Sequence, residues 1–178
     1  MNDVFVERLI KKKLAPVDYL LMVLIVVAAV ALSWLGFIVG FFIIGFPMLT
    51  VVVLAGSIFG AYKLIGRRFV EYEYCLTNGY VTVDKILQKS TRKRLTSFEC
   101  SSCTDVGRYG EAEPRLKTQS FDERIFATAS ADRSQAWYLN VRSTKTGKTL
   151  LVFEPDDDLL EGIKQFLPRQ LKFEKGLK

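Results

Sequence analysis

No histidine occurs among the 178 residues of the chain. That excludes a Ser-His-Asp or Cys-His relay, a His-ligated metal and an imidazole proton shuttle. Cysteine is scarce as well. Three thiols fall one short of the four ligands of a thiolate zinc site, and no imidazole is available to complete it, so metal binding is a minor alternative. Charge is missing from one long stretch. From Tyr19 to Tyr62 there is no Asp, Glu, Lys or Arg, and only Ser33, Gly36, Gly40, Gly45, Pro47, Thr50, Gly56, Ser57 and Gly60 fall outside the hydrophobic set. The 49% hydrophobic content is therefore unevenly spread. An apolar stretch is joined near residue 65 to a segment of ordinary soluble composition.

About 20 apolar residues cross a hydrocarbon core roughly 30 Å thick, so this run is long enough for two crossings. Helix punctuation clusters at Gly36, Gly40, Gly45 and Pro47. The reading is a two-helix transmembrane hairpin over 18–68, with spans near 18–39 and 47–66. A cytoplasmic or interfacial segment, 1–17, precedes it and a cytoplasmic domain, 69–178, follows. Lys11–Lys13 and Ala29-Val30-Ala31 imitate a signal peptide, but cleavage there leaves Leu32 to Tyr62 still apolar. A soluble, buried helical pair is disfavoured, because the remaining residues could hardly cover two helices that are apolar all round.

Arg8, Lys11, Lys12 and Lys13 precede the first span, and Lys63, Arg67 and Arg68 close the second, with no charge between. By the positive-inside rule both termini are expected to be cytoplasmic. Tyr19 and Tyr62 then sit at the inner interface and Trp34 toward the outer one. No ionisable residue lies at depth, which favours an anchor over a transport path. Small residues recur four apart, at Ala29/Ser33, Gly36/Gly40 and Gly56/Gly60. They serve packing of the spans on each other, or a homodimer through Gly56 and Gly60.

In the first 17 residues, Asn2 or Asp3 could cap a short helix carrying Val6, Leu9, Ile10 and Leu14 on one face and stopped by Pro16. Its lysines act as a topology signal or attach to anionic lipid, at about 1 kcal/mol each.

The domain opens with alternation: Val70, Tyr72, Tyr74 and Leu76 face one way and Glu71, Glu73 and Cys75 the other. Asn78-Gly79 is a hairpin turn leading into a strand over 80–84. Further strands are expected over 94–98, 124–129, 136–142 and 148–154, with a weaker one over 103–109. The turn between the last pair is at Thr144–Gly147, and 110–120 reads as loop. Leu159, Leu160, Ile163, Phe166 and Leu167 then mark one face of an amphipathic helix ending at Pro168. The fold class is an α+β membrane protein, its domain an antiparallel β-barrel or sandwich closed by a C-terminal helix.

The Glu71–Lys85 segment, with its Tyr-Cys-Leu-Thr-Asn-Gly core, followed by a basic run into Arg94-Leu95, resembles the bacterial pleckstrin-homology-like (PH-like) proteins. The layout, with Met-Asn-Asp-x-Phe-Val-Glu at 1–7, is also similar to a small family of two-span membrane proteins from clostridia and related Gram-positive bacteria. The resemblance implies a fold and a location, and no catalytic residue.

Cys100-Ser101-Ser102-Cys103 could support thiol redox chemistry, but no helix N-terminus follows Cys100 to lower its pKa. Gly147-Lys148-Thr149 imitates a phosphate-binding loop, yet Arg142 stands where its first glycine belongs. Asp156–Asp158 read as helix N-terminal acids. Lys85, Lys89, Arg92, Lys93 and Arg94 place five positive charges in ten residues with no acid, a candidate surface for lipid headgroups or an acidic partner. Residues 69–178 carry 18 basic and 16 acidic side chains, a net of only +2 (18 − 16), which argues against nucleic acid. No cofactor is implied. The expectation is a membrane-anchored, non-enzymatic binding or scaffold module, with a redox enzyme or sensor using Cys100 and Cys103 as the alternative.

Overall fold

The computed structural model describes residues 4–143 and 147–174. The expected cap at Asn2 or Asp3 and the turn residues Thr144–Thr146 lie outside the described residues. The chain divides into two compact units, one made of 1–13 with 70–178 and the other of 14–69.

The second unit is two helices, α1 (Pro16–Phe37) and α2 (Pro47–Gly66). Each begins on proline, whose missing N–H is no loss in the first turn. The α1 start is also held by Asp18, which accepts from the Ala15 backbone N–H at 3.1 Å and pairs with Arg68 at 3.7 Å. A π-helical turn, Ile38–Ile43, continues α1, so its apolar length is 28 residues against 20 in α2. Both helices are long and apolar enough to cross a membrane, and neither is buried by the protein itself.

The first unit is a domain of two four-stranded sheets. β1 (Phe5–Lys11), β2 (Val70–Thr77), β3 (Tyr80–Leu87) and β4 (Thr91–Glu99) form an antiparallel sheet in chain order. β5 (Cys103–Arg108), β6 (Glu123–Ala127), β7 (Trp137–Ser143) and β8 (Gly147–Phe153) form the second, in the order β5-β7-β8-β6. Val70, Tyr72, Tyr74, Leu76, Val81, Val83 and Phe98 of the first sheet meet Val106, Leu139, Val141, Leu151 and Phe153 of the second in one core. The Tyr74 hydroxyl donates to the Ala127 carbonyl across that core. On the other face of the second sheet, α3 (Tyr109–Thr118) covers Tyr138, Leu150 and Val152. α4 (Asp157–Phe166) closes the core with Leu159 and Ile163, and α5 (Arg169–Glu174) adds Leu171. The close approach of α4 to β2 requires Gly162, where a Cβ would stand 2.6 Å from Leu76 Cδ2. Asp156 is the N-cap of α4, accepting from the Leu159 N–H at 3.1 Å.

Three expectations are corrected. Residues 5–11 form no interfacial helix. They are an edge strand paired with β2 from Phe5↔Thr77 to Lys11↔Glu71. Val6 and Ile10 pack on the core while Phe5 and Leu9 stay exposed, a period of two that local sequence cannot separate from a short helical stripe. Residues 110–120 are largely helix, because Tyr109, Ala112 and Leu116 supply one apolar face in an otherwise polar segment. The sheets are not wholly antiparallel: β6 runs parallel to β8, the α3 segment carrying the chain to the far edge.

Candidate functional site

The basic cluster seen in the sequence is divided by a β-bulge. The β3–β4 register shifts between Val83 and Asp84, pairing Val83 with Thr96 but Asp84 with Arg94, so Leu95 is the extra residue. Strict alternation from Phe98 and Thr96 would aim Arg94 and Arg92 into the core. The bulge turns both to the outer face and leaves Leu95 against the core. There Arg94 donates to both Asp84 oxygens, at 2.9 and 3.3 Å, and Arg92 Nη2 stands 2.8 Å from Glu73 Oε2. The hydrogen bond to Asp84 raises the already high Arg94 pKa. Burial raises the Glu73 carboxyl above its ordinary value, and Arg92 opposes that rise. Two of the five cations are thus engaged inside the sheet.

The other three differ. Lys85 and Lys93 stand directly opposite each other, and Lys89 lies in the tight turn between their strands with φ 57°. Among the described residues none of the three has a carboxylate within ion-pair distance. Like charges held in direct cross-strand register destabilise a sheet. The sheet also places them where the sequence could not. Val70 pairs with Leu87 and Lys11 with Glu71, and the Lys12 N–H donates to Val70 O at 2.9 Å. The turn carrying Lys89 therefore shares one end of the first sheet with Lys11, Lys12 and Lys13, the end at which the chain leaves for α1 and returns from α2.

The small residues also separate. A Cβ on Gly36 would meet Val53 Cγ1 at 2.5 Å, and one on Gly40 would meet Thr50 Oγ1 at 2.8 Å, so this pair seats α1 against α2. Ser33 and Ser57 hydrogen-bond between the helices at 2.7 Å. Gly56 and Gly60 have open space where a Cβ would be and take no part in that packing.

Cys100 begins a single 3₁₀ turn and Cys103 begins β5, and both are buried free thiols. Burial pushes Cys100 up to about 12 and Cys103 higher still. Thiols so placed are poor nucleophiles at neutral pH. No group of three or more acidic or thiol side chains among the described residues could hold a metal ion.

Sequence reasoning missed a groove of about 410 Å³ between α3 and β5–β7, lined by Arg108, Glu111, Arg115, Trp137 and Tyr138. Arg115 and Tyr138 are engaged with each other and with Asp105. Arg115 donates to Asp105 and to the Tyr138 hydroxyl, both at 2.6 Å, while Arg108 covers the Trp137 ring at 4.6 Å. Burial, helped by Asp105, pushes the Tyr138 phenol up to about 12. The network fastens α3 to the sheet, and no signal marked it because Asp105, Arg115 and Tyr138 are far apart in the chain. Two further cavities of the domain are lined by Thr104, Asp122 and Arg142 and by Tyr109, Glu113 and Arg133.

No curated protein and no solved structure matches this chain. The family model of a bacterial PH-like domain (DUF6106) matches residues 2–173, a span that includes β1 and both apolar helices as well as the two sheets. The chain belongs to this DUF6106 family of bacterial PH-like domains.

Proposed function

We propose that the protein is a non-enzymatic binding module held at the cytoplasmic face of a bacterial membrane by the α1–α2 hairpin. One observation carries the reading: β1 and β2 are neighbours in one sheet although residues 12–69 separate them in sequence. Two strands of one folded sheet must lie on the same side of a bilayer. The chain between them therefore crosses an even number of times, and two apolar helices joined by the uncharged Ile44–Phe46 link meet that condition. The positive flanks support placing that side inside the cell. Tethering raises the local concentration of the domain near other membrane components, so weak contacts suffice for binding.

The test is a set of reporter fusions after residue 178, before residue 1 and at Gly45, together with alkaline extraction of membranes. Both termini should report cytoplasmic, the Gly45 fusion external, and the chain should resist extraction. Termini on opposite sides, or release at high pH, would refute the reading. A binding role further expects a specific lipid or protein to be recovered with the chain from native membranes. Recovery of none would count against it.

A further inference from the structure

We infer that the end of the first sheet carrying Lys11, Lys12, Lys13, Lys85, Lys89 and Lys93 is a contact surface for the anionic lipid headgroups of the bilayer in which the hairpin is anchored. The inference rests on the anchoring reading and assigns a ligand to one end of the domain.

Three observations support it. The two lysine groups are over 70 residues apart in sequence, yet the register brings them to one end of one sheet. That is the end from which the chain runs to both apolar helices. Only Leu14 and Ala15 separate Lys13 from Pro16, and only residues 67–69 separate Gly66 from Val70. Three residues of extended chain span about 10 Å, within the reach of a lysine side chain added to a headgroup layer.

Next, the charge is left over. Arg92 and Arg94 are neutralised by Glu73 and Asp84. On the rows that end the sheet, the remaining carboxylate is Glu71, set against six lysines. Lys85 and Lys93 face each other with no acid between them, an arrangement that a counter-anion would relieve.

Third, the surface lies apart from the three domain cavities described above, each of which is lined by other residues. Lysines are flexible point charges, suited to a diffuse negative plane and not to the bidentate grip of one phosphate. Each lysine near an anionic leaflet is worth about a fivefold change in the ratio of docked to undocked domain.

The experiment uses the full chain, in a Cys75→Ser background, with a fluorophore on Ser90→Cys at the tip of the β3–β4 turn. The protein is reconstituted into vesicles of phosphatidylcholine alone or with about 30% phosphatidylglycerol, and quenching by a spin-labelled headgroup lipid is read. Quenching should be strong only with phosphatidylglycerol. It should fall in 0.5 M salt and fall about fivefold in docking ratio for each of Lys85→Gln, Lys89→Gln and Lys93→Gln. Thermal unfolding of these variants at or above the parent's midpoint keeps a folding defect from imitating the result. Equal quenching in both vesicle types overturns the inference, as does quenching indifferent to the substitutions. Quenching that responds instead to an added acidic protein, in either vesicle type, also overturns it. Failure of the chain to float with the vesicles would sink the anchoring reading itself, and flotation is scored separately.

Discussion

Replacing Arg92 with glutamine strips a carboxylate of its partner inside a sheet. The Glu73 side chain is 7% exposed, whereas that of Arg92 is 58% exposed, so the pair is half in water. Glu73 Oε2 is buried, and the guanidinium nitrogen at 2.8 Å is its main compensation. A fully exposed ion pair contributes about 0.2–1 kcal/mol. Removing the partner of a fully buried charge costs about 3–5 kcal/mol. The mixed exposure places Arg92→Gln between them, at about 1–3 kcal/mol at pH 7.

The pH dependence has a definite sign. Burial raises the folded-state pKa of Glu73 above its unfolded value, with Glu7 and Asp84 adding to the rise and Arg92 opposing it. Between those two values the folded state binds more protons than the unfolded state, so stability falls as pH rises through the window. Loss of Arg92 lifts the folded value further, so the variant's deficit is full above that value and shrinks as pH falls toward the ordinary carboxylate range. The assay is urea unfolding of the full chain in micelles at pH 4.5 and 7.5. Trp34→Phe leaves Trp137 as the sole indole. Adding Glu73→Gln should recover most of the loss at pH 7.5. A deficit under about 0.3 kcal/mol, or one equal at both pH values, would refute the assignment of Arg92 to the sheet's internal electrostatics.

Lys93→Gln should behave in the opposite way, raising domain stability by about 0.2–1 kcal/mol in lipid-free micelles, because it removes a like charge facing Lys85. Its unfolding midpoint beside that of the parent chain decides the matter. Gly36→Leu should disrupt the hairpin, since its side chain would enter Val53, whereas a Cβ at Gly56 has open space around it and Gly56→Leu should leave the hairpin intact. Cysteine crosslinking between α1 and α2 measures this. Any change in crosslinking between copies on Gly56→Leu would then report a contact with another chain. Cys100 and Cys103 should stay unlabelled by maleimide from pH 7 to 9 until denaturant is added, as burial and their raised pKa values require. Prompt labelling of both in the native chain would restore the redox alternative.

Elements written in a single run of sequence were legible before folding. The two apolar helices, the Asn78-Gly79 hairpin and the face of α4 each satisfy a local rule of length, turn chemistry or period. The N-terminal strand was not legible. Its pattern suits two periods, and its partner begins at Val70, beyond the whole hairpin. α3 was hidden because three apolar positions in a polar segment acquire a direction only when a sheet face stands beside them. The basic run was visible as charge, but its meaning turned on one bulged residue. Leu95 shifts the alternation of β4, sends Arg92 and Arg94 to Glu73 and Asp84, and leaves Lys85, Lys89 and Lys93 uncommitted.

The amino-acid sequence alone determined that this is a chain of two materials, that no imidazole chemistry is open to it, and that one stretch has the length and apolarity of two membrane crossings. Those properties are additive over residues and need no partner. Only the tertiary structure decided that the hairpin is inserted between two paired strands, that two separate lysine groups share one end of a sheet, and that two of five clustered cations are already neutralised. Strand register is a relation between distant segments, fixed by which apolar faces can be buried together, and no local rule contains it.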